Sequence, residues 1–525
     1  MDTPAHRRIL RITPASGVAW LHGSAATRAL ELRSRVELPA HALMQRAGES
    51  VARLALAVAP HARRVHVLCG PGNNGGDGLV AALWLRQMGR SVAVTILPGV
   101  NPAPADAAWA LVQARAAGVA IGDIGAMSAN VHVDLTVDAL LGVGVSRAPA
   151  GELAAAIAHI NASRAVASAV SGAVSRTSVL AVDLPSGLNA DTGQAFGDAV
   201  RADHTLSLLT LKPGLFTGQG RDQAGQVWFD DLGIAPDGAQ ATARLVPEHL
   251  HRLAWPDRVH ASHKGRYGDL VVIGGERGMT GAAWLAARAG LSAGAGRVYV
   301  SPLDPEAELL LPTQPELMGR RAWWLSAPEV MAQTTVVCGC GGGQAVRDVL
   351  PPLLSRSPRL VLDADALNAI AADPLLQRLL QARVDRGLAT VLTPHPLEAA
   401  RLLGISADAV QSDRLQHAAT LAQRWRSVVV LKGSGTVVAA PDTLPSINLS
   451  GNGKLASAGT GDVLAGWIGG SWCALGPASD AARCAAEASV WLHGLAADRC
   501  AAAQGLQLPL PAAGLIDAMH AALPR

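Results

Sequence analysis

Short valine-rich runs that stop at glycine, each followed by residues at helical spacing, recur along this chain. "RVHVL" (64–68) runs into "CGPGNNGGDG" (69–78), and Val80, Leu83, Trp84 and Met88 then mark one face of a helix. "SVAVTIL" (91–97), "HVDLTVDALLG" (132–142), "SVLAVDLPSG" (178–187) and "DHTLSLLTL" (203–211) repeat the strand-like run. Strands alternating with helices predict a parallel sheet covered on both faces. Such sheets bind ligands beyond the carboxyl ends of their strands. "GNNGGDG", "DALLGVG" and "DLPSG" each follow such a run, so three polar loops are expected along one edge. The glycines of the first loop are read as room for a ligand against the backbone, with Asn73, Asn74 and Asp77 holding its polar groups. A side chain at Gly75 is therefore expected to harm binding more than folding. Asp77, near the helix start, also has the chemistry of a cap.

The alternation stops between about 232 and 260, a stretch with Pro236, Pro247 and Pro256, and this is the expected junction. It restarts with "DLVVIGG" (269–275), "RVYVS" (297–301), "TTVVCGCGGG" (334–343), "RLVLDADALN" (359–368), "ATVLTPHPLEAARLLG" (389–404) and "SVVVLKGSGTVVAA" (427–440). Two α/β domains are expected, at 1–240 and 250–525. Their motifs differ, which indicates a fusion rather than a duplication. The Ala/Ser/Val-rich stretch 162–177 reads as a surface insertion.

Composition excludes several classes of function. Of 525 residues 50% are hydrophobic and 16% charged, enough to build cores, mainly from Ala, Val and Leu because aromatics are only 3%. A net charge of +3 without a basic run gives no electrostatic footprint for nucleic acid. Six cysteines, including the closely spaced "CGC" of 338–340, fit buried thiols better than zinc or disulfides. "MDTPAHRRILRIT" lacks the apolar core of a signal peptide. "VLAGWIGGSWCALGPAS" (463–479) is slightly short for a membrane span and reads as a buried helix. A cytoplasmic protein is expected.

The first half resembles the NAD(P)H-hydrate epimerase domain over about residues 15–235, through "LMQRAG" (43–48), "GPGNNGGDGLVAALWL" (70–85), "DALLGVG" (138–144) and "VDLPSGLNADTG" (182–193). The resemblance implies a Rossmann-like three-layer domain. It also implies substrate contacts at Asn73, Asn74, Gly75, Gly76 and Asp77, at Gly142, Val143, Gly144, Val145, Ser146, Arg147 and Ala148, and at Asp183. It implies a potassium ion (K+) held by Asn74, Asp138 and Ser186, all hard oxygen donors. "GVG" stands where the family more often has GTG. Epimerisation at C6 of the hydrated nicotinamide breaks and remakes a carbon–oxygen bond, and Asp183 is the candidate proton shuttle.

In the second half, "ASAGTGDVLAG" (456–466) places Asp462 at a glycine turn opening a helix, whose amides can bind anionic oxygens. A carboxylate there can take the proton of a hydroxyl that attacks phosphorus. This turn resembles the ribokinase-like fold. With "SHKGRYGDLVVIGG" (262–275), "LTPHPLEAARLLG" (392–404) and "LKGSGT" (431–436), it resembles the ADP/ATP-dependent NAD(P)H-hydrate dehydratases over about 250–520. The resemblance implies a ribokinase-like α/β domain, with Ala282, Gly341, His395 and Asp462 on the hydrated dinucleotide. Lys432, Gly433, Ser434, Gly435, Thr436 and Gly461 would hold ADP, brought with Mg2+. "GCGGG" (339–343) stands where the family usually has GPGLG. The acids of "DADALN" read as sheet-edge supports or as partners of magnesium-bound phosphate through water.

Together the halves imply a bifunctional repair enzyme. It would epimerise the R and S hydrates of NAD(P)H, and dehydrate the S form with ADP to give NAD(P)H, AMP and phosphate. The alternatives are a small-molecule kinase of the ribokinase fold and a non-catalytic nicotinamide-nucleotide binder. A homo-oligomer is expected from the family, without nucleic-acid or membrane partners.

Overall fold

The computed structural model describes residues 7–523, apart from 15, 18, 99–103, 124–132, 165, 168–173, 176, 247–253, 256, 477 and 479. Half of the 162–177 stretch thus lies outside the described residues, as do Pro247 and Pro256. The chain divides into two compact units: Met1–Thr13 with Ala19–Ala243, and Pro14–Val18 with Arg244–Arg525.

The first unit is built on an eight-stranded sheet. Its order is Leu10–Arg11, Gln226–Asp230, His204–Leu208, Ser178–Val182, Leu135–Ala139, Arg64–Cys69, Ser91–Ile96, Ala120–Gly122. All neighbours are parallel except the short first strand. The chain leaves Arg64–Cys69 toward one edge and returns to Leu135–Ala139 on its other side. The order therefore reverses between these two strands, where a ligand crevice forms. Alternate strand residues serve opposite faces. Val65 and Val67 pack beneath the helices Ala42–Val58 and Asn73–Gln87, whereas Leu68, Val179 and Ala181 pack against Ile157 and Ile160 of the helix Glu152–Ser163. This makes the three layers.

The second unit carries the sheet order Met318–Gly319, Arg297–Pro302, Asp269–Gly274, Thr334–Cys338, Arg359–Leu362, Ala389–Leu392, Val428–Leu431, Val437–Ala439, Ser446–Ile447. It is parallel up to Val428–Leu431 and antiparallel after it. The stretch 463–479 lies mainly in the buried helix Thr460–Leu475, and no described helix is long and apolar enough to cross a membrane. Its glycines set how closely it packs. A Cβ on Gly466 would stand 2.0 Å from the Ala286 carbonyl oxygen, and one on Gly470 2.1 Å from that of Gly290, both in the helix Thr280–Ser292. Glycine here permits contact between helix backbones.

Candidate active sites

At the first unit's strand reversal lies a cleft of about 430 Å³. Its walls include Asn73, Asn74, Asp77, Gly142, Val143, Gly144, Asp183 and Lys212. The "NNGGD" stretch is not a loop: the helix Asn73–Gln87 starts at its first residue, with Gly72 as an N-cap that makes no side-chain bond. Its helical period separates the motif into two faces. Gly75 and Gly76 are buried, whereas Asn73, Asn74 and Asp77 line the cleft. A Cβ on Gly75 would come within 1.9 Å of the Gly70 carbonyl oxygen, and one on Gly76 within 2.5 Å of the Met44 side chain. The expectation that a side chain at Gly75 would harm binding more than folding is therefore corrected. That glycine makes room for the chain's own backbone.

Polar groups meet at the cleft floor. Asn74 Nδ2 donates to the Leu141 carbonyl at 2.9 Å, and the Leu141 amide donates to Ser186 Oγ at 2.9 Å. Ser186 Oγ donates to Asp138 Oδ1 at 2.6 Å, and its amide to Oδ2 at 2.8 Å. Asp138 is fully buried and has no ion-pair partner among the described residues; burial pushes its pKa up to about 6, against the pull of these bonds. Asn73 Oδ1 is buried without a hydrogen-bond partner. Asp183, at φ +66°, is a non-glycine residue in the left-handed region. Its Oδ1 accepts from the Leu208 amide at 3.1 Å and is ion-paired to Lys212 Nζ, which also donates to the Leu208 carbonyl. Burial, then Asp183, Glu31 and Asp106, hold the Asp77 carboxyl well above the usual carboxylate range.

In the second unit, one strand-end cluster gathers Asp363, Lys432, Asp462 and Cys340. Asp363 Oδ1 accepts from Thr393 Oγ1 and from Lys432 Nζ, each at 2.7 Å. Lys432 Nζ also lies 3.3 Å from where a Cβ of Gly461 would stand. Asp462 is in the first turn of Thr460–Leu475, a helix whose N-cap Gly459 (φ +85°) makes no side-chain bond. Burial, seconded by Asp363, pushes the Asp462 pKa up to about 6, while a bond from the Cys340 thiol and the charge of Lys432 pull it back. Cys340 Sγ and oxygens of Asp363 and Asp462 lie within 4.8 Å of one another, but the Lys432 ammonium already occupies Asp363. Asp365 accepts from the Gly343 amide at 2.9 Å, so the "DADALN" acids tie strand-end loops together.

His395 caps the helix Pro396–Leu403. Its Nδ1 accepts from the amides of Leu397 and Glu398 at 3.1 and 3.4 Å, and the His395 amide donates to Glu398 Oε2 at 2.7 Å. An accepting Nδ1 places the ring proton on Nε2, and burial followed by Lys432 lowers the ring's pKa, so it is a neutral Nε2–H donor. Gly341, at φ +57°, faces the Thr280–Ser292 helix start: its Cβ would meet Ala282 Cβ at 3.0 Å. The "GCGGG" turn is held without proline, the Cys340 and Gly341 carbonyls accepting from the amides of Gly275 and Glu276 at 2.9 and 2.7 Å. Gly433 packs on the guanidinium of buried Arg414, and Thr436 Oγ1 closes the "KGSGT" loop on the Gly433 carbonyl at 3.0 Å.

Two families match the chain, the YjeF-related protein N-terminus over residues 40–214 and NAD(P)H-hydrate dehydratase over 270–518. The bifunctional NAD(P)H-hydrate repair enzyme Nnr of Escherichia coli is 41% identical over 443 residues, covering 82% of this chain and 80% of that protein. The corresponding Moorella thermoacetica protein is 36% identical over 531 residues, covering 92% of each. The chain belongs to the bifunctional NAD(P)H-hydrate repair enzymes. Among solved structures, a Bacillus subtilis ADP/ATP-dependent NAD(P)H-hydrate dehydratase co-crystallised with ATP/Mg2+ is 29% identical, with a TM-score of 0.45, covering 52% of this chain and 95% of that one.

Within this repair enzyme, not every residue singled out from the sequence reaches the first cleft. Val145 is buried, its carbonyl accepting from Asn189, while Ser146, Arg147 and Ala148 are exposed beyond the cleft walls. Conversely, Lys212 and the helix Ser24–Glu37, with Thr27, Arg28, Glu31 and Arg35 on the cleft, were missed. Lys212 carried a legible signal, since it follows the run 203–211 as the other motifs follow theirs. The helix gave none, its cleft-facing residues being ordinary surface types.

Proposed function

We propose that the two units act in sequence on hydrated NAD(P)H, the first interconverting its R and S forms and the second dehydrating the S form with ADP. The carrying observation is that relatives named bifunctional NAD(P)H-hydrate repair enzymes align along 82% and 92% of the chain. In the first cleft the ring nitrogen's electron pair expels the C6 hydroxyl, which leaves as water after taking the proton that Asp77 holds. Water re-adds to either face, its proton passes to Asp183, whose charge Lys212 balances, and proton exchange with water then returns Asp183 to the carboxylate and Asp77 to the acid. Asn73 Oδ1, buried and unpartnered, suits a hydroxyl of the substrate.

The groups around Asp138 fit potassium: the carboxylate is buried with no cationic partner among the described residues, the Ser186 hydroxyl lies 2.6 Å from it, and Asn74 meets the same Leu141 carbonyl that Ser186 Oγ approaches. Asn74, Asp138 and Ser186 would hold the ion, which supplies a fixed positive charge beneath the substrate. In the second unit Asp462 takes the proton of the C6 hydroxyl as that oxygen attacks the β-phosphorus of ADP, and AMP leaves. Lys432 and the open helix N-terminus at Gly461 stabilise the phosphoryl charge. Phosphate then departs from C6 as a proton is lost from C5, which restores the ring double bond. Neutral His395 donates from Nε2 to the nicotinamide side of the substrate. Magnesium enters with the nucleotide.

The test is to incubate mixed hydrate epimers with ADP or ATP and follow NADH absorbance. Complete recovery is expected. A phosphorylated product that accumulates would instead mark a simple kinase.

A further inference from the structure

The first cleft is short of positive charge for a dinucleotide. The charged residues on its walls are Glu31, Asp77, Asp106 and Asp183 against Arg28, Arg35 and Lys212. Two of these cations are already matched. Lys212 is paired to Asp183, and Arg35 to both Glu31 at 2.8 Å and Asp106 at 3.1 Å. Asp106 also binds His41 Nδ1 at 2.7 Å, on a ring stacked against Trp109. Arg28 differs: among the described residues it makes no hydrogen bond or ion pair, and it is exposed on the rim.

Its position is specific. Arg28 Nη2 lies 3.5 Å from where a Cβ of Gly144 would stand, while the Cβ site of Gly142 lies 3.5 Å from Asn74. The glycine turn 142–144 is thus flanked by the Asn74 floor on one side and by a free guanidinium on the other. Because neither glycine carries a side chain, a bulky anion can reach the turn's backbone and Arg28 together. Toward Asp77 and Asp183 the cations are already matched by carboxylates, which leaves no free positive charge for a phosphate there and suits the uncharged nicotinamide.

We propose that Arg28 is the phosphate clamp of the first cleft, binding a phosphate of the dinucleotide against the Gly142–Gly144 turn and so setting which way round the substrate enters. A guanidinium offers paired donors matched to phosphate oxygens. The inference rests on the epimerase reading and adds a residue outside every motif that carries the family resemblance. Arg28 touches no reacting atom, so it governs binding rather than chemistry.

The experiment measures R-to-S conversion by Arg28→Gln and Arg28→Lys with the hydrates of NADH and of NADPH. Arg28→Gln is expected to raise KM about tenfold with kcat within about twofold, the size of one lost charged hydrogen bond. Arg28→Lys should recover part of the loss. Equal loss on both substrates assigns the pyrophosphate, and loss on the NADPH hydrate alone assigns the 2′-phosphate; either supports the clamp. Unchanged KM on both, or a fall in kcat without a rise in KM, overturns it. A thermal melt with NADP+ as an inert probe separates this from the epimerase reading: a wild-type shift that Arg28→Gln abolishes supports the clamp even in a protein without epimerase activity, and an undiminished shift overturns it.

Discussion

Asp462 carries two opposite demands. It must be ionised to act as a base, yet its surroundings disfavour the charge, holding its pKa near 6. A carboxyl whose pKa rises on folding contributes stability at low pH that is lost as pH climbs through the folded value. Asp462→Asn should therefore raise the melting temperature of the second unit at pH 7.5, by roughly 2–4 °C for each kcal/mol recovered. It should cut ADP-dependent recovery from the pure S hydrate by about 10²–10⁴, with epimerisation intact. A variant with unaltered repair would remove the base role. In the wild type the same pKa predicts that kcat/KM for the S hydrate falls as pH is lowered through about 6, measurable by stopped assays from pH 5 to 8. Asp138 makes a different case. Asp138→Ala should weaken epimerisation and flatten its response to potassium together, and chromatography of the epimers across potassium concentrations reads both. At this scale the sequence was most legible where a residue type is costly outside a site. An aspartate at the end of a buried strand stands out, whereas Arg28 on an exposed helix looks like any surface arginine. Lys212 fell between these. Its burial comes from Asp183, 29 positions earlier, a distance no local pattern spans.

The strand runs were readable because they are short, apolar-rich and mostly closed by glycine or proline within a few residues, with helical spacing between them, so parallel order followed almost directly. What the pattern hid was the identity of the element that carries a motif. Glycine clusters suggest turns, yet "NNGGD" is helical from its first residue, and its glycines stand where the nearby backbone of Gly70 and the Met44 side chain leave no room for a Cβ. Tertiary contact has overruled propensity. The Asn73–Gln87 helix is thereby seated deep enough to aim Asn73, Asn74 and Asp77 at one cleft. Gly75→Ala, a single methyl, should destabilise the first unit by about 1–3 kcal/mol or more, seen as an early transition in calorimetry. Repair of the pure S hydrate should persist. A variant that melts like wild type but loses epimerisation would return Gly75 to a role against the ligand.

At the level of the whole chain, the two reactions need only share a diffusible intermediate. A chain bearing Asp183→Ala should recover NADH from the S hydrate but stall on the R form. Mixing it with a chain bearing Asp462→Asn should restore R repair, because the second supplies epimerase and the first dehydratase. Failure of the mixture, with each partner active alone in its own step, would mean that the epimer passes only within one molecule. Each half has its own strand run and motifs, but no local pattern shows that Pro14–Val18, set between Met1–Thr13 and Ala19–Ala243 of the first unit, groups with the second. That short thread has a consequence for the gene. A fission at the border between Ala243 and Arg244 would yield two polypeptides of unequal inheritance, the first carrying away five residues that group with the second in the intact chain.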